Sequence, residues 1–315
     1  FYALEKERKN RMKKIFALAL VLMMMLSVNA FAAEIGFLPP AMTSPFYASC
    51  IEGATPVAVA GGYELLVMAP ESEDDYASQM AMMEDMITRG VAAICVCGIN
   101  LDALIPAIRK ANEANIPVVM FNTITELEGV EVYAYSGYNQ YNGGGKIADW
   151  VNEKTGGTAK VAIIEGLPSD FTTQRMGGFV DRVAAAYPGI EVVASQPGDW
   201  VREKGMNASL DMIQANPDIN VIYGLSDEMA LGAVQAIKQL GRDDIITIGL
   251  DGNPNAFESV AAGELTATLD VGPVAIGANA VQAAIDAING VERTEKVIEA
   301  ETTVVDISLV ENYLK

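Results

Sequence analysis

The chain has 315 residues, 51% of them hydrophobic, with 21 Lys/Arg against 41 Asp/Glu, a net charge of −20 at pH 7 and no histidine. Such an acidic balance opposes nucleic acid and anionic membrane surfaces. The missing imidazole excludes a Ser-His-Asp triad, a Cys-His pair and a His-ligated zinc site.

Residues 1–11 are polar, and Met12-Lys13-Lys14 reads as the natural start. The apolar run Ile15 to Leu26 follows, and then the small-residue site Ala30-Phe31-Ala32. A basic start, a short apolar run and an A-x-A site make a secretory signal peptide. The run is too short to span a bilayer comfortably, although a retained anchor is the competing reading. Cleavage near Ala32 would leave a mature chain of about 283 residues, more than one average domain, so two are expected. Residues 1–32 hold six of the basic and two of the acidic side chains, so the mature chain would carry 15 basic against 39 acidic groups, a net of −24. The first cysteine is Cys50, well past the apolar run. A lipid-anchored N-terminus is therefore not expected, and a soluble protein of the periplasm is.

Short β-branched or apolar runs bounded by turn residues predict strands at Glu34–Leu38, Tyr63–Met68, Ala92–Cys97, Val118–Phe121, Val132–Ser136, Lys160–Glu165, Glu191–Ser195, Val221–Gly224, Ile246–Leu250 and Ala267–Val271. Helical patterns lie between most of them, at 46–60, 74–89, 101–114, 140–155, 172–187, 202–215, 227–240, 253–262 and 273–289. Gly61-Gly62 and Gly241 suit positions just past helix ends, and Pro273 suits a first turn. Strand alternating with helix predicts a parallel, doubly wound α/β sheet. The strands are too numerous for one such sheet. The stretch Tyr133 to Asn139 also breaks the pattern, because no crossover helix precedes its strand. Residues 302–307 form another extended run. The expectation is two doubly wound parallel-sheet lobes joined by three extended hinge crossings, with a ligand cleft between them. Residues 33–136 plus 272–302 would form one lobe, and 137–271 plus 303–315 the other.

Several chemistries find no support. There is no G-x-S-x-G elbow and no Walker loop. Gly143-Gly144-Gly145-Lys146 lacks the upstream glycine and has Ile147 where Ser or Thr is needed, so it reads as a close-packed helix start. Cys95 and Cys97 point to one face of a strand. With no second pair to complete a metal site, burial as small apolar residues is the expectation for them, and no metal or cofactor is expected. The cluster Met80, Met82, Met83 and Met86 reads as packing. What remains is the abrupt end of each β-rich run in small polar or acidic residues, where open α/β sheets bind ligands.

SDEMALGAVQAI, LDGNP, ANEANIPVVMFN, SPFY near residue 44, the R-x-x-G-F pattern from Arg175 to Phe179, and ASQPGDW ending at Trp200 are together specific. From about Glu34 to the C-terminus the chain resembles the periplasmic sugar-binding proteins of the ribose-binding type, the solute receptors of ABC importers. Repressors of the lac type share that fold but begin with a helix-turn-helix, where this chain has its signal sequence. The resemblance implies stacking aromatics at Phe46, Tyr47 and Trp200, and ligand-binding polar groups at Asn122, Arg175, Ser226 and Asp251. It implies weaker ligand-binding candidates at Ser44, Thr123, Thr173 and Asp270. Ser44 and Ser226 stand where the family often has Asn, Asn122-Thr123 replaces an Asp-Arg pair, Thr173 replaces an Arg, and Val271 replaces a Gln. These departures point away from ribose toward a different sugar or polyol.

A sugar offers hydroxyls that donate and accept, plus apolar C–H faces, so its site needs flat rings and carboxylate, amide or guanidinium groups. Each residue also has a structural alternative. Asp251 could cap the helix near Pro254, Ser226 the helix at Asp227. Arg175 could pair with a structural acid, and the three aromatics could be ordinary packing. The expectation is a non-enzymatic, monomeric receptor for a neutral sugar or polyol that closes about its hinge and docks on a membrane permease. A chemoreceptor is a second compatible partner. A nucleoside or furanose-like signalling molecule is the alternative ligand, and a secreted carbohydrate-active enzyme the alternative class.

Overall fold

The computed structural model describes residues 33–314, so the signal-sequence assignment lies outside the described residues. The first sheet contains β1 (Glu34–Leu38), β2 (Glu64–Val67), β3 (Ala93–Val96), β4 (Val118–Phe121), β5 (Ala134–Gly137) and β11 (Val297–Glu299), in the order β11-β5-β4-β3-β1-β2. The second contains β6 (Ala159–Glu165), β7 (Ile190–Pro197), β8 (Val221–Gly224), β9 (Ile246–Asp251), β10 (Ala267–Asp270) and β12 (Thr303–Asp306), in the order β12-β10-β9-β8-β6-β7. Every pairing is parallel except that of the edge strand β12, which runs antiparallel to β10. The two-lobed α/β architecture is thus as the strand count implied, with one antiparallel edge. β11 is too short to have announced itself in the sequence.

Nine helices connect the strands among the described residues: α1 (Pro45–Ala60), α2 (Tyr76–Arg89), α3 (Leu101–Glu113), α4 (Gln140–Thr155), α5 (Asp170–Ala186), α6 (Arg202–Ala215), α7 (Asp227–Leu240), α8 (Pro254–Ala261) and α9 (Pro273–Ile288). Several starts are fixed by caps. Asp75, Asn100, Asn139, Ser169 and Ser226 each accept a backbone N–H of their own first turn. The Ser169 cap begins α5 two residues earlier than its apolar pattern suggests.

The strands alternate as their period of two requires. In β3 and the residue after it, Cys95 and Cys97 face one apolar cluster, while Ile94 and Val96 face the other. All three cysteines are free and buried. Helices pack in pairs, and three pairs approach through reciprocal glycines. A Cβ on Gly53 or Gly277 would strike the backbone of the partner helix in the α1/α9 pair. The same holds for Gly144 and Gly178 in α4/α5, and for Gly205 and Gly232 in α6/α7. Gly144 abuts the carbonyl of Arg175, so the glycine run read as a close-packed helix start sets how deeply α5 sits.

The chain passes between the sheets three times: from β5 to α4, from β10 to α9, and from β11 to β12. The carboxyl ends of both sets of parallel strands therefore face a common cleft.

Candidate functional site

The cleft holds a pocket with about 380 Å³ of atom-free space, the open solvent at its mouth included, lined by Ser44, Phe46, Tyr47, Glu73, Asn122, Phe171, Arg175, Trp200, Ser226, Glu228 and Asp251. The first lobe contributes the start of α1 (Ser44, Phe46, Tyr47), the loop after β2 (Glu73) and the end of β4 (Asn122). The second contributes α5 (Phe171, Arg175), the turn after β7 (Trp200), the start of α7 (Ser226, Glu228) and the end of β9 (Asp251). All of these come from strand ends or the segments that follow, as the position of ligand sites in open α/β sheets requires.

Arg175 organises the floor. It is 4% exposed. Its Nε donates to Gln140 Oε1 at 2.7 Å, and its Nη1 donates to the Leu225 carbonyl at 2.7 Å and lies 3.5 Å from Asp251 Oδ1. The guanidinium also lies 5.3 Å from the Trp200 ring centroid, 5.8 Å from that of Phe171 and 6.0 Å from that of Tyr138. Such a planar cation serves carboxylate and ring faces at once. Gln140 in turn donates to the Asn122 carbonyl at 2.9 Å. One buried chain of hydrogen bonds thus runs from the end of β4, through the first crossing, to Arg175, and an ion pair continues it to the end of β9.

The backbone is strained at the same place. Asn122, Trp200 and Asp251 adopt φ of 60°, 66° and 146°, three of the five non-glycine residues with positive φ among those described. Such conformations cost about 1–3 kcal/mol each and cluster at ligand clamps. Asn122 Oδ1 is buried with no hydrogen-bond partner. An orphaned acceptor on a cavity wall is one a ligand hydroxyl can satisfy.

Asp251 Oδ2 accepts from the Asp227 N–H and from Asn253 Nδ2, both at 3.4 Å. It does not cap the helix at Pro254, which has no side-chain cap. Burial pushes its carboxyl up to about 7, against the opposing pull of Arg175. Neighbouring Asp227 is also pushed up by burial, but it is fully tied, accepting from Asn253 N at 2.8 Å and from Thr268 Oγ1 at 2.5 Å. Asp227 therefore braces the ends of β9 and β10 and leaves the cavity to Asp251. Ser226 does both things weighed for it: its Oγ accepts the Met229 N–H at 3.4 Å, and it lines the cavity with a hydroxyl proton still to give. Trp200 occupies space that Gly166 vacates, since a Cβ there would strike its ring. Phe46 and Tyr47 meet edge to face with centroids 5.3 Å apart.

The structure gathers Ser44, Phe46, Tyr47, Asn122, Arg175, Trp200, Ser226 and Asp251 on one wall system. It does not bring Thr123, Thr173 or Asp270 there. Thr123 is buried beside Asn122, its Oγ1 accepting from Thr125 N. Thr173 is exposed one position along α5 and donates to the Ser169 carbonyl. Asp270 accepts from Gly272 N at 2.9 Å and shapes the second crossing. Glu73, Phe171, Glu228 and Gln140 were not anticipated. Phe171 stands four residues before Arg175 on one helix face, a spacing that could have revealed it. Glu228 is held by a two-pronged contact from Arg202 at 2.9 and 2.7 Å and by Asn255 at 2.8 Å.

A ring-walled polar cavity between two α/β lobes defines a cleft-type receptor for a small molecule. The chain belongs to the family of the periplasmic binding protein domain, whose sequence profile matches residues 35–292. It is 32% identical over 282 residues to the ribose import binding protein RbsB of Escherichia coli K12, covering 89% of this chain and 94% of that one. It is 31% identical to the D-allose-binding periplasmic protein of the same organism, covering 92% and 94%. Among solved structures, an ABC transporter periplasmic solute binding protein from Actinobacillus succinogenes 130z with bound D-allose superimposes with a TM-score of 0.84 at 33% identity, covering 89% of this chain and 100% of that one. The family is one of binding receptors, and the chain is a binding protein rather than an enzyme.

Proposed function

We propose that this chain is the solute-binding component of an ABC importer and holds a neutral sugar or polyol between its lobes. The observation that carries this reading is the cavity itself. Ring faces from both lobes surround the unsatisfied Asn122 acceptor, the buried Arg175–Asp251 pair and the Ser226 hydroxyl. Hydrogen bonds to charged groups contribute roughly 1.5–3 kcal/mol each, and micromolar affinity requires about 8 kcal/mol in all. A few such bonds plus stacking suffice. The names of the relatives point the same way, toward ribose, allose, apiose and xylitol. The replacements at Asn122-Thr123, Thr173 and Ser226 favour a sugar or polyol other than ribose.

In this reading the protein works as a monomer in the periplasm after removal of residues 1–32. Its lobes, residues 33–136 with 272–302 and 137–271 with 303–315, close about the three crossings over the ligand, and the closed form docks on a membrane permease. A chemoreceptor is a second partner open to the same closed form. Thermal melting and calorimetry against a panel of pentoses, hexoses and polyols test the reading. At least one compound should bind the wild type, and Asp251→Asn should weaken it about tenfold or more, given the strength of a charged hydrogen bond. Silence across the whole panel would refute the sugar reading.

A further inference from the structure

The acidic run Glu71-Ser72-Glu73-Asp74-Asp75 lies on the loop between β2 and α2. Its members have different duties. Asp75 caps α2 by accepting Ser78 N at 3.0 Å, and Asp74 accepts from Ser72 Oγ at 2.5 Å. Glu73 alone of these three lines the cavity, and it is partly buried there. None of the described residues donates a hydrogen bond to its carboxylate. The ionisable groups near enough to interact with it electrostatically are Tyr47 and Cys97 from the first lobe and Arg175 and Asp251 from the second. Arg175, the one cation on the cavity wall among the described residues, is already engaged by Gln140, the Leu225 carbonyl and Asp251. Glu228 is likewise occupied by Arg202 and Asn255. Glu73 is therefore an acceptor on the cavity wall with no hydrogen-bond donor for it among the described residues. A partly buried carboxylate gains when such a donor arrives.

We propose that Glu73 is a ligand-contacting, specificity-determining residue whose carboxylate accepts hydrogen bonds from hydroxyls of the bound sugar or polyol on the first-lobe wall. The proposal rests on the sugar or polyol reading above. It makes the site two-sided: Asp251 takes donors from the second lobe and Glu73 from the first, so a ligand must present hydroxyls on both edges. A site built around such acceptors rejects analogues that lack the matching hydroxyl far more strongly than a merely apolar pocket would. Burial also raises the Glu73 carboxyl to about 7, with Arg175 opposing, which accords with an acceptor that awaits a donor.

The test is calorimetric titration of the wild type, Glu73→Gln and Glu73→Ala with D-ribose, D-allose, myo-inositol and xylitol, with the ligand-free melting temperature of each variant as a check on folding. Whichever compound binds the wild type should bind Glu73→Ala at least tenfold and Glu73→Gln at least threefold more weakly. A deoxy analogue lacking the contacted hydroxyl should bind wild type and Glu73→Gln alike. A loss under threefold in both folded variants overturns the role of Glu73 and leaves the sugar reading standing. If none of these and no other pentose, hexose or polyol binds the wild type, the sugar reading falls and this proposal falls with it.

Discussion

Glu73 and Asp251 place two carboxyls near 7 in one cavity, pushed there by burial. A carboxyl raised above its ordinary value of about 4 favours the folded state at low pH and loses that contribution as pH rises through its folded value. For Glu73 the window runs from about pH 4 to beyond 7, softened by its partial exposure. The ligand-free melting temperature of Glu73→Gln minus that of the wild type should therefore increase between pH 5 and pH 8. A difference that stays constant with pH would place the Glu73 carboxyl in its ordinary range. Hydroxyl donors from a ligand favour the ionised forms, so binding tightens over the same interval. Residue-scale chemistry was only partly legible in the sequence. Asn122, Arg175 and Asp251 stood at strand ends or in a motif, but an acidic run such as Glu71 to Asp75 looks like solvated surface. Only the fold shows that two of its members are consumed locally and one is turned inward.

At the scale of elements, strands and helices were largely readable because apolar runs and caps mark them. The divergences are physical. β11 is three residues long, and α5 starts at a serine cap ahead of its apolar pattern. The role of the glycines was less visible. Gly144, Gly178, Gly205 and Gly232 are helix-interior residues that cost helix propensity, and their purpose appears only when the neighbouring helix is in place. Gly166 is the instance that bears on the cavity wall, because it makes room for the Trp200 ring. Gly166→Ala would force the Trp200 ring aside, with an overpacking cost of about 1–3 kcal/mol. Ligand affinity should fall roughly two- to tenfold, the worth of about 0.5–1.5 kcal/mol of ring contact. Calorimetry beside a melting curve checks both, and unchanged affinity in a destabilised variant would mean that Trp200 is packing alone.

At the scale of the molecule, the two-lobed architecture was inferable from strand number and from the uncrossed segment at 133–139. The buried chain Asn122–Gln140–Arg175–Asp251 was not, because Gln140 belongs to no motif and acts only through its position at a crossing. A ligand that bridges acceptors on both lobes should draw them together, so solution scattering should show a smaller radius of gyration on saturation with the bound sugar. Trp200 fluorescence should change in step, and Trp200→Phe should remove that signal. An unchanged radius at saturation would mean that the site fills without closure.

The three crossings also bear on how the chain can be made and moved. β11, built from residues 297–299, completes the first sheet beside β5, and α9 packs on α1 and over the middle of that sheet from residues 273–288. The second sheet waits for β12 at residues 303–306. Neither lobe is a contiguous segment, so a partly synthesised chain has no finished lobe, however far it has grown short of its last few dozen residues. Long-range closure of this kind slows folding. A chain held extended until those residues are available has, for the same reason, no completed lobe to pull apart.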